Sequence, residues 1–149
     1  MNMQPLNKEQ VVLAALATAA GEVFTPVQMQ KLLFLLERRL WPVQRLGPFF
    51  DFAPYDYGPF DPDIYDVLET LQKKGLVEII REPHLRWNKY KTTTEGASAG
   101  QSVLQSLSAD ARTYVQTLSD FVRRVSFAEL VGAVYRAYPE MRVNSVFQG

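Results

Sequence analysis

The chain has no cysteine, which excludes disulfides and thiolate metal sites and makes a reducing cytoplasm the expected setting. It has one histidine, His84, in a Pro-His turn with no nucleophile motif beside it, so it reads as a solvent-facing turn residue rather than an acid–base group. Neither sign of charge is in excess: 16 Lys and Arg balance 16 Asp and Glu. Bulk charge therefore gives no pull toward nucleic acid, and only a local patch would. No apolar run approaches the ~20 residues a membrane span requires; the run Leu32–Leu36 is far shorter. No basic stretch leads into a long apolar one near the start, so no signal peptide is expected. A nucleophile elbow, a zinc-protease helix and a phosphate-binding glycine loop are all missing, so no enzyme activity and no cofactor are expected. What is present is an ordinary globular composition, 47% hydrophobic over 149 residues, enough for one domain with a sizeable core.

The stretch Phe49–Gly75 organises the rest. Phe49, Phe50, Phe52, Tyr55, Tyr57 and Phe60 crowd its first half, and Pro54, Gly58 and Pro59 impose a fixed, non-repeating path. So many aromatics do not lie loose in water, so the segment should pack down as structure. Phe50, Phe52 and their neighbours suggest a short strand before the turn region Pro54–Pro59. A helix follows over about Pro62–Lys74, with Asp61 as cap, Pro62 at its first position and Gly75 past its end.

Around this stretch the pattern is helical. Asn7 and Gln10 form a capping box, with Leu6 and Val11 as a hydrophobic staple, for a helix ending near Ala20–Gly21. Thr25, Pro26 and Gln28 open a second helix that Pro42 stops. Met29, Leu32, Leu33, Leu36 and Leu40 form one stripe on it. Phe34 and Leu35 fall off that stripe, so both sides should be buried, with Glu37, Arg38 and Arg39 as a wet end. Leu76–Arg81 and Arg86–Thr92 read as a β-hairpin. Three helices followed by a hairpin is the order of a winged helix. Gly96–Gly100 reads as a flexible linker to a C-terminal helical pair, one helix from Ser108 to about Val125 and one opened by Ser126 and Glu129 and ended by Pro139; the tail Met141–Gly149 looks extended. The fold class is thus mainly α. The single domain 1–149 would comprise a helical core plus wing over 7–93 and a C-terminal helical extension over 101–149.

KLLFLLERRL at 31–40, the aromatic segment leading to YGPF at 57–60, and IYDVLETLQKKGLV at 64–77 resemble the Panacea domain of SocA-like antitoxins. The resemblance spans Pro26–Val77, roughly a third of the chain, and departs from the family at Phe60, where a small aliphatic residue is usual. VYRAYPEMRVNS at 134–145 lies outside it. The resemblance implies a mainly helical domain without catalytic residues that binds a partner protein, often a toxin encoded beside it.

Tyr55, Tyr57, Tyr65 and Asp66 are the candidate partner-binding residues. A tyrosine hydroxyl seeks water or a partner, and Tyr65 and Asp66 lie off the Ile64, Leu68 and Leu71 face and should point outward. Phe50, Phe52 and Phe60 should instead close the core. The alternative is a winged-helix DNA-binding regulator using the basic segment Lys73, Lys74, Arg81, Arg86, Lys89 and Lys91. Against it, the helix before the wing begins with Asp61, Asp63, Asp66 and Glu69, which phosphates would repel. The connection Trp41–Phe60 is also too long for a helix-turn-helix. The three aspartates read as helix capping and dipole pairing, not as a metal site.

Overall fold

The structure is a computed structural model that describes residues 6–147. It is mainly helical. Its elements are α1 (Lys8–Ala17), α2 (Pro26–Arg39), β1 (Ala53–Tyr55), β2 (Gly58–Phe60), α3 (Asp63–Lys73), β3 (Val77–Ile80), β4 (Lys89–Thr92), α4 (Thr94–Gln105), α5 (Ala109–Arg124) and α6 (Phe127–Ala137), with a closing 3-10 turn Pro139–Arg142. No helix among the described residues is long and apolar enough to cross a membrane.

The expected capping boxes form at the starts of α1 and α2, with both reciprocal bonds of each pair in place. Ser126 caps α6 by accepting from the Glu129 amide. Asp61 accepts from the Asp63 amide, so it tethers the first turn of α3 even though Pro62 already has helical angles. Its other oxygen holds the Asp51 amide.

β3 and β4 form the wing, with Val77 opposite Thr92 and Ile80 opposite Lys89. Phe24, between α1 and α2, exchanges two backbone hydrogen bonds with Tyr90, at 2.8 and 2.9 Å. That single residue stands where the first strand of a winged helix runs, so the order helix, strand contact, helix, helix, wing is complete.

α2 is buried along Met29–Leu36 on both sides, as its two apolar stripes require. Burying a polar side chain there demands a partner. Gln30 exchanges two hydrogen bonds with the Asp61 backbone, at 3.0 and 2.9 Å. Lys31, 3% exposed, donates to the Pro59 carbonyl. Glu37 is not the wet end its position suggested: one of its oxygens accepts from the amides of Phe49 and Phe50. Three polar groups of one helix thus hold the backbone of the aromatic segment.

That segment is a hairpin, a correction to the expected irregular turn region and to the strand expected at Phe50–Phe52. β1 and β2 pair antiparallel, with Pro54 opposite Pro59 and Tyr55 opposite Gly58. Antiparallel pairs alternate between bonded and non-bonded, and two prolines, lacking N–H groups, fit opposite each other only in a non-bonded pair. Asn144 donates to the Pro54 carbonyl as Lys31 does to that of Pro59.

Gly58 has φ +104, and a Cβ there would lie 3.2 Å from the Tyr135 ring and 3.4 Å from Lys31 Cε. Gly58→Val should therefore destabilise the protein by about 1–3 kcal/mol. An unchanged denaturant midpoint would show the position to be ordinary.

The expected flexible linker Gly96–Gly100 is instead the first half of α4, and three helices, not a pair, follow the wing. Thr93 caps α4 and anchors it: its amide donates to Leu76 O and its hydroxyl to Gly75 O. The glycines, four apart on one face, let α4 lie against Leu76 and against α1 at Leu13 and Ala17. One hydrophobic core runs from Val11 to Met141, so the helices after the wing share the core of those before it. The tail, expected to be extended, makes the 3-10 turn and then returns to the hairpin, where Val146 N donates to Asp56 O. Gln148 and Gly149 lie outside the described residues.

Candidate functional site

Three of the four exposed large aromatics among the described residues converge from separate parts of the chain. Tyr57 sits on the two-residue turn of the β1–β2 hairpin, Trp87 on the loop between β3 and β4, and Phe127 on the first residue of α6. They are 42%, 48% and 46% exposed and rim a cleft of about 510 Å³. Val27 from α2, Val122 from α5, Val125 and Leu130 lie inside it. Three of these positions are set by the backbone around them. Tyr57 is carried by the proline-braced hairpin, whose glycine end rests on Lys31 and Tyr135. Val125 is extended between α5 and α6, and the Ser126 cap starts α6 at once, leaving Phe127 at the helix mouth. The Tyr57 and Phe127 rings meet edge to face at 5.2 Å, and Phe127 in turn meets Phe147 at 5.9 Å.

The four candidates expected to form one surface do not meet. Tyr55 is exposed and stacks on Phe60 at 4.9 Å. Tyr65 is half-buried rather than outward-facing, with its ring 5.8 Å from Phe60 and 6.2 Å from Tyr90. The helical pattern placed it correctly off the Ile64 face, but the hairpin and the wing cover that side too. These four rings make a row from hairpin to wing. Burial raises the pKa of Tyr65, against the opposing effect of a hydrogen bond from Gln30. Burial, with Tyr65 alongside, pushes Tyr90 up to about 12. Both hydroxyls stay protonated at neutral pH. Asp66 is exposed elsewhere, in a shallow cleft beside Asn7, Lys8 and Asp63. Of the four, only Tyr57 belongs to the groove. Phe127 was missed because its spacing matches the buried face of α6, and nothing in the spacing marks the helix end as lying beyond the core.

The basic candidates are largely neutralised. Lys74 pairs with Glu9 at 2.7 Å, Arg81 with Glu69 at 2.9 Å, Lys91 with Glu78 at 3.6 Å and Lys89 with Glu82 at 4.0 Å. Lys73 and Arg86 are exposed and have no carboxylate within 4.0 Å among the described residues. At the other end of α3, Asp63 pairs with Lys8, whose pKa that hydrogen bond raises. His84 is exposed in the wing turn. No group of three or more His, Asp or Glu among the described residues could hold a metal ion.

The chain matches no protein-family model and no curated protein. The reading of this surface therefore rests on its own chemistry. An apolar cleft with aromatic edges and uncharged walls removes water from aliphatic or aromatic side chains laid into it. Its rigid tyrosine, tryptophan and phenylalanine are residue types that interface centres favour.

Proposed function

We propose that the protein is a cytoplasmic, non-catalytic partner-binding module, antitoxin-like, that neutralises or adapts a partner protein, such as a toxin encoded nearby, through the groove between Tyr57, Trp87 and Phe127. The observation that carries this reading is the convergence of three exposed aromatics from three separate elements around one apolar cleft. Isolated surface aromatics are ordinary, but a contiguous apolar site marks an interaction surface. The resemblance of residues 26–77 to the Panacea domain supports it independently.

The alternative is a winged-helix DNA-binding regulator, favoured by the element order and the Phe24–Tyr90 strand contact. The ion pairs along the wing and the acidic start of α3 weigh against it.

Co-purification with the products of adjacent reading frames, followed by titration, tests the two readings. Tyr57→Ala and Trp87→Ala should leave the melting curve near that of the parent and weaken partner binding by about 1–2 kcal/mol each. Tyr65 is a poor probe, since its truncation also removes packing on Phe60 and Tyr90. If both groove variants bind the partner normally while Arg86→Ala and Lys89→Ala weaken duplex binding and flatten its salt dependence, the DNA reading replaces this one.

A further inference from the structure

A second cleft lies at the far end of α2, apart from the aromatic groove, and has a different chemistry. It encloses about 570 Å³ between the end of α2 and the loop leading to Phe52. That is the size of a site for one small ligand or the last residues of a peptide. Leu46, Pro48, Phe50 and Phe52 give it apolar walls, and Arg38 and Arg45 stand on it.

The Arg38 side chain and the Arg45 backbone are held in place. The Arg38 guanidinium lies 5.0 Å from the Phe34 ring centre and 5.5 Å from that of Tyr138, and such stacking fixes the plane while leaving N–H edges free. Arg45 has φ +58, in the left-handed region that residues other than glycine seldom enter. The loop enforces it: Arg45 N donates to Pro42 O, and Leu46 N to Trp41 O. A residue kept in a costly conformation where glycine would serve is a pointer to its side chain.

Neither arginine has a carboxylate within 4.0 Å among the described residues; the six ion pairs found there lie elsewhere. Two acidic groups do border the cleft. One oxygen of Glu37 is engaged by the amides of Phe49 and Phe50, and its other oxygen lies against Gly47. Asp51 is exposed at the edge.

We propose that this cleft binds the free C-terminal end of a peptide, with the terminal carboxylate on Arg38 and Arg45 and an apolar last side chain against Leu46, Phe50 and Phe52. Arginine's planar fork matches a carboxylate, and chain ends are captured in this manner in other recognition sites. A nucleic-acid strand fits less well. It would bring further phosphates past Asp51 and Glu37, whereas a chain end brings one charge and an apolar group.

The test uses the full-length protein, isotope-labelled for NMR, and three probes: the peptide Ala-Ala-Ala-Leu as free acid, the same peptide as C-terminal amide, and a ten-residue oligothymidylate. The free acid should shift the resonances of Arg45, Leu46 and Gly47 saturably, and the amide should bind about tenfold more weakly, the loss expected for removing a charge-assisted pair. Arg38→Ala should reduce free-acid affinity, and so should Arg45→Gly, which removes the guanidinium while relieving the backbone. Asp51→Asn should tighten binding, a gain that a merely structural role for the loop would not produce. Equal binding of acid and amide, or free-acid affinity unchanged in Arg38→Ala and Arg45→Gly, overturns the proposal. Oligothymidylate shifting the same resonances more strongly than the free acid overturns it in favour of a phosphate site.

Discussion

Gly96→Ala should lower stability by about 3 kcal/mol, the upper end of what forcing an extra methyl into a packed site costs. A Cβ on Gly96 would sit 1.7 Å from the Leu76 carbonyl oxygen. That oxygen already accepts from the Thr93 amide, so backing away breaks a bond at the start of α4. The obstruction is backbone, not the tip of a side chain. Gly100→Ala should behave similarly, since its Cβ would lie 2.4 Å from Leu13 O and 2.5 Å from the Ala17 methyl. In a chain of this size about 3 kcal/mol corresponds to a fall of roughly 6–12 °C in Tm. Gly132→Ala is the control. It is also mid-helix, but the nearest atom to its Cβ is the mobile end of Arg136 at 3.3 Å, so the gain in helix propensity should leave stability equal or higher. If all three alanine variants melt together, the close approach of α4 is not needed for folding.

The second large effect belongs to Lys31. Burial lowers its amine from 10.5 to about 7, and its one hydrogen-bond partner among the described residues is the Pro59 carbonyl. A protonated amine has three donors and a neutral one has two, so a site with a single acceptor favours the neutral form. Between about pH 7 and 10.5 the unfolded chain binds a proton on Lys31 that the folded protein does not. Stability therefore rises with pH across that window, and the cost of burial is present in full below it. Lys31→Met keeps the volume, removes the titration and leaves the Pro59 carbonyl without its donor. At pH 6 the variant should be more stable than the parent by about 1–2 kcal/mol, the charge penalty exceeding the lost bond. By pH 9.5 the order should reverse. Urea melts of both proteins across this range give the difference directly, because the tyrosines and other lysines titrate alike in both. A difference that stays constant with pH would show that Lys31 is not buried as an amine.

These two positions also show where the sequence was readable. Side-chain spacing announces helix starts because the cap is local: Asn7 with Gln10, and Thr25 with Gln28, each satisfy amides three residues away. The apolar stripes of α2 and the winged-helix order of α3, β3 and β4 are local in the same sense. The glycines of α4 are not. Two glycines among Ala and Ser read as a loop, because glycine alone lowers helix propensity. The reason for them is contact with Leu13, Ala17 and Leu76, far away along the chain or on another element. Gln30 and Lys31 escaped notice, and Glu37 was read as a wet end, for the same cause, as their partners are backbone atoms at 49–61. The groove was legible only through Tyr57. Trp87 and Phe127 join it through the meeting of wing, hairpin and α6.

The facing prolines of the hairpin have one more consequence. In an antiparallel pair the non-bonded residues are the ones whose peptide groups point away from the partner strand. At Pro54 and Pro59 those groups carry no hydrogen, and their oxygens already receive Asn144 and Lys31. Neither side of the hairpin offers an incoming strand a free rung. The most aromatic segment of the protein is thus shielded from the edge-to-edge strand addition by which such sequences aggregate. A partner must meet it through its side chains, the tyrosine rings foremost.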